Sequence, residues 1–379
     1  MRFEEALMGW KDGRLNQEEA AQLLGVCDRT FRRYIDRYHE AGLEGLIDRR
    51  LNEVSHRKAP VDEVLQMEAL YRDHYEGWNV KHFHGRYQSH HGGSRSYTWV
   101  KNRLQAAGLV EPGKRKGKHR RRRERSPMAG MLIHQDGSTH HWVVDAQWDL
   151  IVTMDDATSR IYSGFFVDEE GTWSSFRGVR ETIEGHGLFS SFYSDRGSHY
   201  WHTPKAGEAV DKTRLTQFGR AMQQLGIPMI PSYSPQARGR SERMFRTLQG
   251  RLPRELALAG ITDMDAANQF LRETFLPAFN QDFAVEARET GDAFVPLLDS
   301  RLDDILCLQD ERTVGNDNCV RFQGRILQLP KSGDRCHFVK ARVKVHAYED
   351  GTCAVFHGPR RLASYDRQGE LLNEQQSAA

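Results

Sequence analysis

The sequence has few cysteines and no pairing pattern among them. Five occur in 379 residues, at Cys27, Cys307, Cys319, Cys336 and Cys353, odd in number, widely spaced and without a CxxC. That argues against a disulfide framework and against a structural zinc site, and it fits a reducing compartment. Long apolar runs are missing too. None approaches the roughly 18 residues of a membrane-spanning helix. The first residues, MRFEEALMGWKDGRL, carry acids where a secretory signal needs an apolar stretch, so the expectation is a cytoplasmic protein with no membrane partner. Net charge is close to absent, at +2, which taken alone predicts no polyanionic partner. The apolar content is ordinary for a packed core, and the length suits two to four domains.

The positive charge that is present is concentrated. Lys114 to Arg125, KRKGKHRRRRER, holds nine Lys/Arg and one Glu, so the rest of the chain is net acidic. Residues 111–127 are too charged and glycine-broken to pack a core and read as a basic linker. Fully extended, these residues reach about 55 Å. Lys114, Arg115, Lys116, Arg120, Arg121, Arg122 and Arg123 are candidate contacts to a duplex backbone. Neutralising six or more phosphates would lower affinity about 10³-fold between low and moderate salt. A solvated tether is the other reading.

Residues 1–58 read as a helix-turn-helix unit. Asn16 and Glu19 make a capping-box start for a short helix over Glu18 to Leu24, and Gly25 and Val26 supply the turn. A second helix runs from about Asp28 to His39, with Phe31, Tyr34, Ile35 and Tyr38 as its buried stripe. Arg29, Arg32, Arg33 and Arg37 fall largely off that stripe, where a recognition helix would face a major groove and its phosphates. A small bundle with a solvated arginine face is the alternative. Residues 59–110 read as a second helical unit, helix-turn-helix or winged. Its segment Ser94 to Leu109 starts at a cap-like serine, buries Trp99, Val100, Leu104 and Leu109, and leaves Lys101 and Arg103 as candidate phosphate contacts. His82, His84, His90 and His91 lack partners at zinc-ligand spacing, so they read as part of a polar, partly exposed helix.

Residues 128–298 read as an α/β core. Met131 to Asp136, Leu150 to Asp156 and Arg160 to Val167 suggest a three-strand meander. A helix over Thr172 to Gly187, a strand over Leu188 to Ser194, a helix over Thr216 to Gly226 and a short strand near Met229 follow. A last helix runs from about Arg240 to Ala259, with Met244 or Phe245, Leu248 and Leu252 facing inward. Residues 310–368 alternate as β structure, with turns at Gln323-Gly324 and Asp350-Gly351. A small barrel is expected there, with Val339, Ala341, Val343 and Val345 on one face. Lys340, Arg342, Lys344 and His346 lie on the other, either as a DNA-backbone contact or as an ordinary solvated face.

Three acids stand out within the core. Asp136 lies in MLIHQDGSTH, Asp195 in FYSDRGSHY, and Glu242 in SPQARGRSERMFRTLQ, a Pro/Gly-marked loop running into a basic helix. Singly, each has an ordinary explanation, as do Asp155 and Asp156, which read as turn residues. Together, two strand acids and a helix acid form a constellation that only cations make inexpensive. Two carboxylates about 4 Å apart repel by roughly 4 kcal/mol at an effective dielectric near 20. Hard oxygen ligands suit Mg²⁺, or Mn²⁺ in its place, and two such ions can serve an in-line displacement at phosphorus.

The segments around these acids resemble those of bacterial insertion-sequence transposases with a retroviral-integrase-like DDE core, most specifically SPQARGRSERMFRTLQ. The resemblance spans nearly the whole chain. It implies a multidomain fold of N-terminal all-α helix-turn-helix units, an α/β RNase H-like catalytic core and a C-terminal small β-barrel. It implies that Asp136 bridges two Mg²⁺ ions, with Asp195 and Glu242 completing the ligand set. Water would then free a 3′-OH at a transposon end, and that hydroxyl would attack target DNA. Arg238, Arg240, Arg243 and Arg246 flank Glu242 as candidate phosphate contacts. The partners implied are double-stranded DNA, as terminal inverted repeats and as target, and further copies of the chain in a dimer or larger assembly. One departure is the 46 residues between Asp195 and Glu242, a longer spacing than is common in the family. The excess fits an insertion over His199 to Leu215, whose Tyr200 and Trp201 either stack on an unpaired base or pack onto the core. Another RNase H-like nuclease and a non-catalytic helix-turn-helix regulator remain as alternatives.

Overall fold

The computed structural model describes residues 2–48, 58–113, 124–204, 209–233, 235–298, 301–331 and 335–372, with the side chains of 235–238 left aside. The chain divides into two compact units, Met1–Glu76 and Gly77–Ala379. The basic residues Lys114 to Arg123 fall outside the described residues, as does the side chain of Arg238.

In the first unit, α1 (Arg2–Lys11), α2 (Gln17–Leu23) and α3 (Asp28–Ala41) pack around Ala6, Ala20, Ala21 and Phe31. The capping box is present in full: Asn16 Oδ1 accepts from Glu19 N at 2.8 Å, and Glu19 accepts from Asn16 N at 2.8 Å. Gly25 ends α2 at φ +70°, a conformation that favours glycine and reverses the chain toward α3. The helix α1 is an addition to the sequence reading. Its Phe3 and Trp10 close on Phe31 of α3 at 6.2 and 6.3 Å between ring centroids. A further helix, α4, spans Val61–His74.

The second unit begins with α5 (Val80–His90) and α6 (Tyr97–Ala106). Here the structure differs from expectation at two histidines. His82 and His84 are each only 5 % exposed, although α5 as a whole is partly exposed, with Lys81, Gln88, Ser89 and His90 facing solvent. The burial of His82 follows from an ion-pair network described below. Lys101 and Arg103 are half-buried, and Arg103 lies over the Trp99 ring.

The core follows as β1 (Ile133–Val143), β2 (Ala146–Asp155), β3 (Ile161–Val167), α7 (Thr172–His186), β4 (Phe192–Ser194), α8 (Gln217–Gln224), β5 (Met229–Pro231) and α9 (Pro235–Leu258). The strands form one sheet in the order β3-β2-β1-β4-β5. The first three make an antiparallel meander, and β4 and β5 run parallel to β1 and to each other. This is the RNase H-like arrangement that the sequence resemblance implied. Side-chain alternation on β1 splits the interior in two. Ile133 faces a cluster with Phe176 and Val179 of α7 and with Phe218 and Met222 of α8. The opposite face, with Trp142, Leu150, Val152 and Met154, is covered by α9 through Met244, Phe245, Leu248 and Leu252. Both Met244 and Phe245 are buried, so the inward stripe of α9 is wider than a single heptad seam. Gly178 lets α7 approach closely, because a Cβ there would lie 2.2 Å from Gln135 Nε2 and 2.6 Å from Thr153 Oγ1. Helices α10 (Met264–Phe270) and α11 (Leu276–Phe283), joined by a π turn, back the edge strand β3.

After the short helix α12 (Leu302–Ile305), the C-terminal strands are β6 (Leu308–Thr313), β7 (Cys319–Phe322), β8 (Arg325–Gln328), β9 (Arg342–Ala347), β10 (Cys353–His357), β11 (Arg360–Tyr365) and β12 (Leu371–Leu372). Among the described residues they form an open five-stranded sheet, β12-β11-β10-β9-β6, and a separate β7-β8 hairpin. Both pack on one core. A closed barrel is therefore not what these ladders make. Gln323 and Gly324 turn the hairpin with φ +47° and +77°, the two positive values of a type I′ turn. The expected alternation holds only from Arg342 onward. Val339 and Lys340 form a turn, with Lys340 at φ +60°, and the ladder starts two residues later. Arg342 and Lys344 are exposed. His346 turns out to be 7 % exposed and stacks on Phe356 at 4.1 Å, so it leaves the basic face.

Candidate active site

The parallel pairing of β1 with β4 sets Ile133 opposite Phe192 and His134 opposite Tyr193. The pairing ends there; Asp136 stands two residues further along β1, and Asp195 two residues further on, past the end of β4. Parallel neighbours lie about 4.8 Å apart. His134 and Tyr193 share a face, with ring centroids 4.7 Å apart. Asp136, two residues further along β1, points to that same face by alternation. Asp195 sits just past the end of β4 in a tight turn, its Oδ1 accepting from Gly197 N at 2.8 Å.

Helix α9 runs along this face in the direction of β1. Near its start Arg240 pairs with Asp156, whose Oδ1 also meets His134 Nε2 at 2.7 Å. Two turns after Glu242, Gln249 Nε2 donates to Ser138 Oγ at 2.9 Å. Glu242 therefore lies between two fastenings to the strand that carries Asp136. Its side chain is exposed. Among the described residues, no three His, Cys, Asp or Glu side chains stand close enough to hold one metal ion.

Several carboxylates act on one buried phenol near the aspartates. Tyr200 is fully buried, and its hydroxyl donates to Gln135 Oε1 at 2.9 Å. Burial, followed by the charges of Glu170, Asp136 and Asp195, pushes its phenol well above the usual value. Glu170 itself was not singled out in the sequence. Its carboxylate fills the space beside Gly137, where a Cβ would lie 2.3 Å away, and its Oε1 is 3.5 Å from His199 Nε2. No local motif announces it, because it reaches the site from the loop after β3. By their chemistry alone, carboxylate oxygens suit a hard divalent cation.

Residues 5–58 match the family model for a winged helix-turn helix. Over 348 residues the chain is 31% identical to the protein described as transposase y4bF of Sinorhizobium fredii, covering 91% of this chain and 76% of that one. The chain belongs to the insertion-sequence transposases. A second relative, the transposase for insertion sequence IS1202 of Streptococcus pneumoniae, is 30% identical over 218 residues, 58% of this chain and 46% of that protein. Among solved structures, the simian T-cell lymphotropic virus intasome in complex with a PP2A regulatory subunit aligns at 13% identity and a TM-score of 0.35. The alignment covers 76% of this chain and 91% of that one. The HTLV-2 integrase catalytic core domain in complex with magnesium aligns at 14% identity and a TM-score of 0.30, over 38% and 84%.

The remaining candidate residues of this transposase divide by exposure. Arg29, Arg32 and Arg33 are exposed on α3 and Arg37 is half-buried; Arg32 is paired with Asp28 at 3.0 Å. Arg243 and Arg246 are exposed on α9. Arg240 is not: its side chain is 14% exposed and turned onto Asp156, so a buried ion pair occupies the charge that the sequence offered to phosphates. Among the described residues of the insertion after His199, Tyr200, Trp201 and Val210 pack into the core. Tyr200 and Trp201 are 1% and 7% exposed, and Trp201 Nε1 donates to Ser194 Oγ at 3.0 Å. Neither is presented for base stacking.

Proposed function

We propose that the transposase is a DDE enzyme that cleaves transposon-end DNA and joins the freed 3′ end to target DNA. Asp136, Asp195 and Glu242 are its metal ligands. The observation that supports this reading is the parallel pairing of β1 with β4 at Ile133–Phe192 and His134–Tyr193, two residues short of Asp136 and Asp195. Helix α9, which bears Glu242, is fastened to the same strand through Gln249 and Ser138. Two adjacent aspartates repel unless a cation lies between them, and their oxygens suit Mg²⁺ or Mn²⁺. When bound, the ions supply nucleophile activation and leaving-oxygen stabilisation.

In this reading, Asp136 and Asp195 form the preset half of the site. Glu242, exposed on α9, completes the ligand set when a DNA end is engaged. Tyr200, kept neutral, donates to Gln135 and excludes water from beneath the aspartates. Arg243 and Arg246 take backbone phosphates beside the reacting bond. Arg29, Arg33 and Arg37, together with the basic residues 114–123, hold the flanking duplex. Arg342 and Lys344 offer a further backbone contact. Phosphate contacts of this kind fix register without reading bases. Pairing two DNA ends calls for at least two protomers.

The test uses the DNA flanking the coding region. Duplexes carrying its matched inverted repeats, incubated with the protein and Mg²⁺, should yield a nick that leaves a 3′-OH at the repeat boundary. Binding to those duplexes without any cleavage in Mg²⁺ or Mn²⁺ would instead establish a DNA-binding regulator.

A further inference from the structure

Asp156 reads from sequence as a turn residue, and its neighbour Asp155 is one: Asp155 Oδ2 accepts from Thr158 N and Oγ1 at 2.7 and 2.8 Å. Asp156 does something else. It is 1% exposed, and three separate segments converge on its carboxylate. Oδ1 meets His134 Nε2 at 2.7 Å and pairs with Arg240. Oδ2 accepts from Ser126 N at 2.7 Å and from Ser126 Oγ at 3.0 Å. Beside it, Arg125 Nη1 donates to the carbonyls of Asp156 and Ala157 at 3.1 and 3.0 Å and to Ser159 Oγ at 2.8 Å.

Each partner stands next to something the reaction needs. His134 precedes Asp136 by two residues on β1. Arg240 precedes Glu242 by two on α9. Arg125 and Ser126 close the basic segment that begins at Lys114. A buried carboxylate tolerates burial only with its charge and lone pairs matched, so this convergence fixes the first turns of α9 against β1 at a defined height. Displacing a catalytic group by about 1 Å can cost about 10²-fold in rate.

We propose that Asp156 is a positioning residue: through Arg240 it sets where Glu242 stands over Asp136, and through Ser126 it joins the DNA-facing basic segment to the catalytic helix. The inference rests on Glu242 being a ligand of the reaction site. An ordinary buried ion pair would stabilise the core as a whole. A positioning pair acts on one helix and on the rate at saturating DNA.

The experiment compares Asp156→Asn, Arg240→Met and Arg240→Lys in the full chain, with Glu242→Gln as the control. End-DNA affinity is measured by anisotropy without divalent ions, cleavage as a single-turnover rate at saturating DNA, and backbone order by hydrogen exchange. Asp156→Asn and Arg240→Met should keep their DNA affinity within about twofold and lose cleavage by at least about thirtyfold. Exchange should speed up over residues 239–246 and stay unchanged in α7. Arg240→Lys, which keeps the charge, should recover most of the rate. If Asp156→Asn does not fold, the Arg240→Met and Arg240→Lys pair decides. Weakened DNA affinity with an unchanged saturating rate in Arg240→Met would overturn the proposal and make Arg240 a DNA contact. Unchanged cleavage in both Asp156→Asn and Arg240→Met, with Glu242→Gln inactive, would overturn it alone. Normal cleavage by Glu242→Gln would instead overturn the reading of the site.

Discussion

Replacing Glu255 by Gln removes one charge from the network that docks α5 on α9. The side chain is 8% exposed and receives three contacts: His82 Nε2 at 2.5 Å, Arg86 Nε at 3.1 Å, and Arg86 Nη2 in an ion pair. Trp78 stacks on His82 at 4.3 Å, and Arg254 Nη2 reaches the carbonyl of Gly77 at 2.5 Å. Glutamine keeps the volume but turns one acceptor into a donor facing a guanidinium. Breaking a fully buried pair costs about 3–5 kcal/mol. Arg86 is 24% exposed and can turn partly to water, which brings the expected cost to about 2–3 kcal/mol. At 1.36 kcal/mol per decade, amide exchange in Val80–His90 should rise about 30- to 150-fold. The effect should grow in acid even in the wild-type protein. Burial is the largest influence on His82 and lowers its pKa below the usual value. Burial also works to raise the carboxyl of Glu255, but hydrogen bonds from His82 and Arg86 outweigh it and hold that carboxyl below its usual range. A group whose folded pKa is depressed contributes stability above its unfolded value and loses it as pH falls. Protection of α5 should therefore decline first below about pH 6.5 and again through the carboxylate range. Exchange rising less than threefold in Glu255→Gln, with no acid dependence in α5, would refute this account of the docking.

Three further outcomes follow from particular side chains. Gly178→Ala puts a Cβ against Gln135 and Thr153, both buried and mutually bonded, and should cost about 1–3 kcal/mol in urea unfolding; no change would mean that α7 can shift freely. Asp304 is held at about 2: burial works to raise it, but His346, Tyr348 and Arg361 outweigh that. Asp304→Asn should loosen the C-terminal sheet from the core by about 1–3 kcal/mol, read as faster proteolysis between the two at neutral pH. In the wild type the same attachment should persist down to about pH 2. Neutralising Arg120 to Arg123 should weaken end-DNA binding and flatten its salt dependence by roughly one unit of slope for each phosphate left without its arginine; an unchanged slope would remove that segment from the interface.

Much of the core was legible because its elements carry local signals. The capping box at Asn16, the alternation in β1 to β3 and the inward stripe of α9 each follow from residues close in sequence. The order β3-β2-β1-β4-β5 is not local. The family resemblance implied an RNase H-like core without that order, which the pairing of β1 with both β2 and β4 sets. Asp136 and Asp195 were picked out by their apolar strands. The parallel pairing of β1 with β4, which ends two residues before each of them, is not encoded locally. What the sequence hid is mostly charge turned inward. Arg240 and His82 look like solvent-facing residues of polar helices. Each is buried because a carboxylate from a distant segment, Asp156 or Glu255, waits at the packing surface. Lys340 failed for a different reason: strict alternation continues through a turn that only its positive φ reveals.

The most direct measurement is cleavage and strand transfer by Asp136→Asn, Asp195→Asn and Glu242→Gln on matched inverted-repeat duplexes in Mg²⁺, with end-DNA affinity measured in parallel. The account predicts that all three variants bind the ends as tightly as the wild type and yield neither nick nor joined product. Near-wild-type product from any one of them would contradict it.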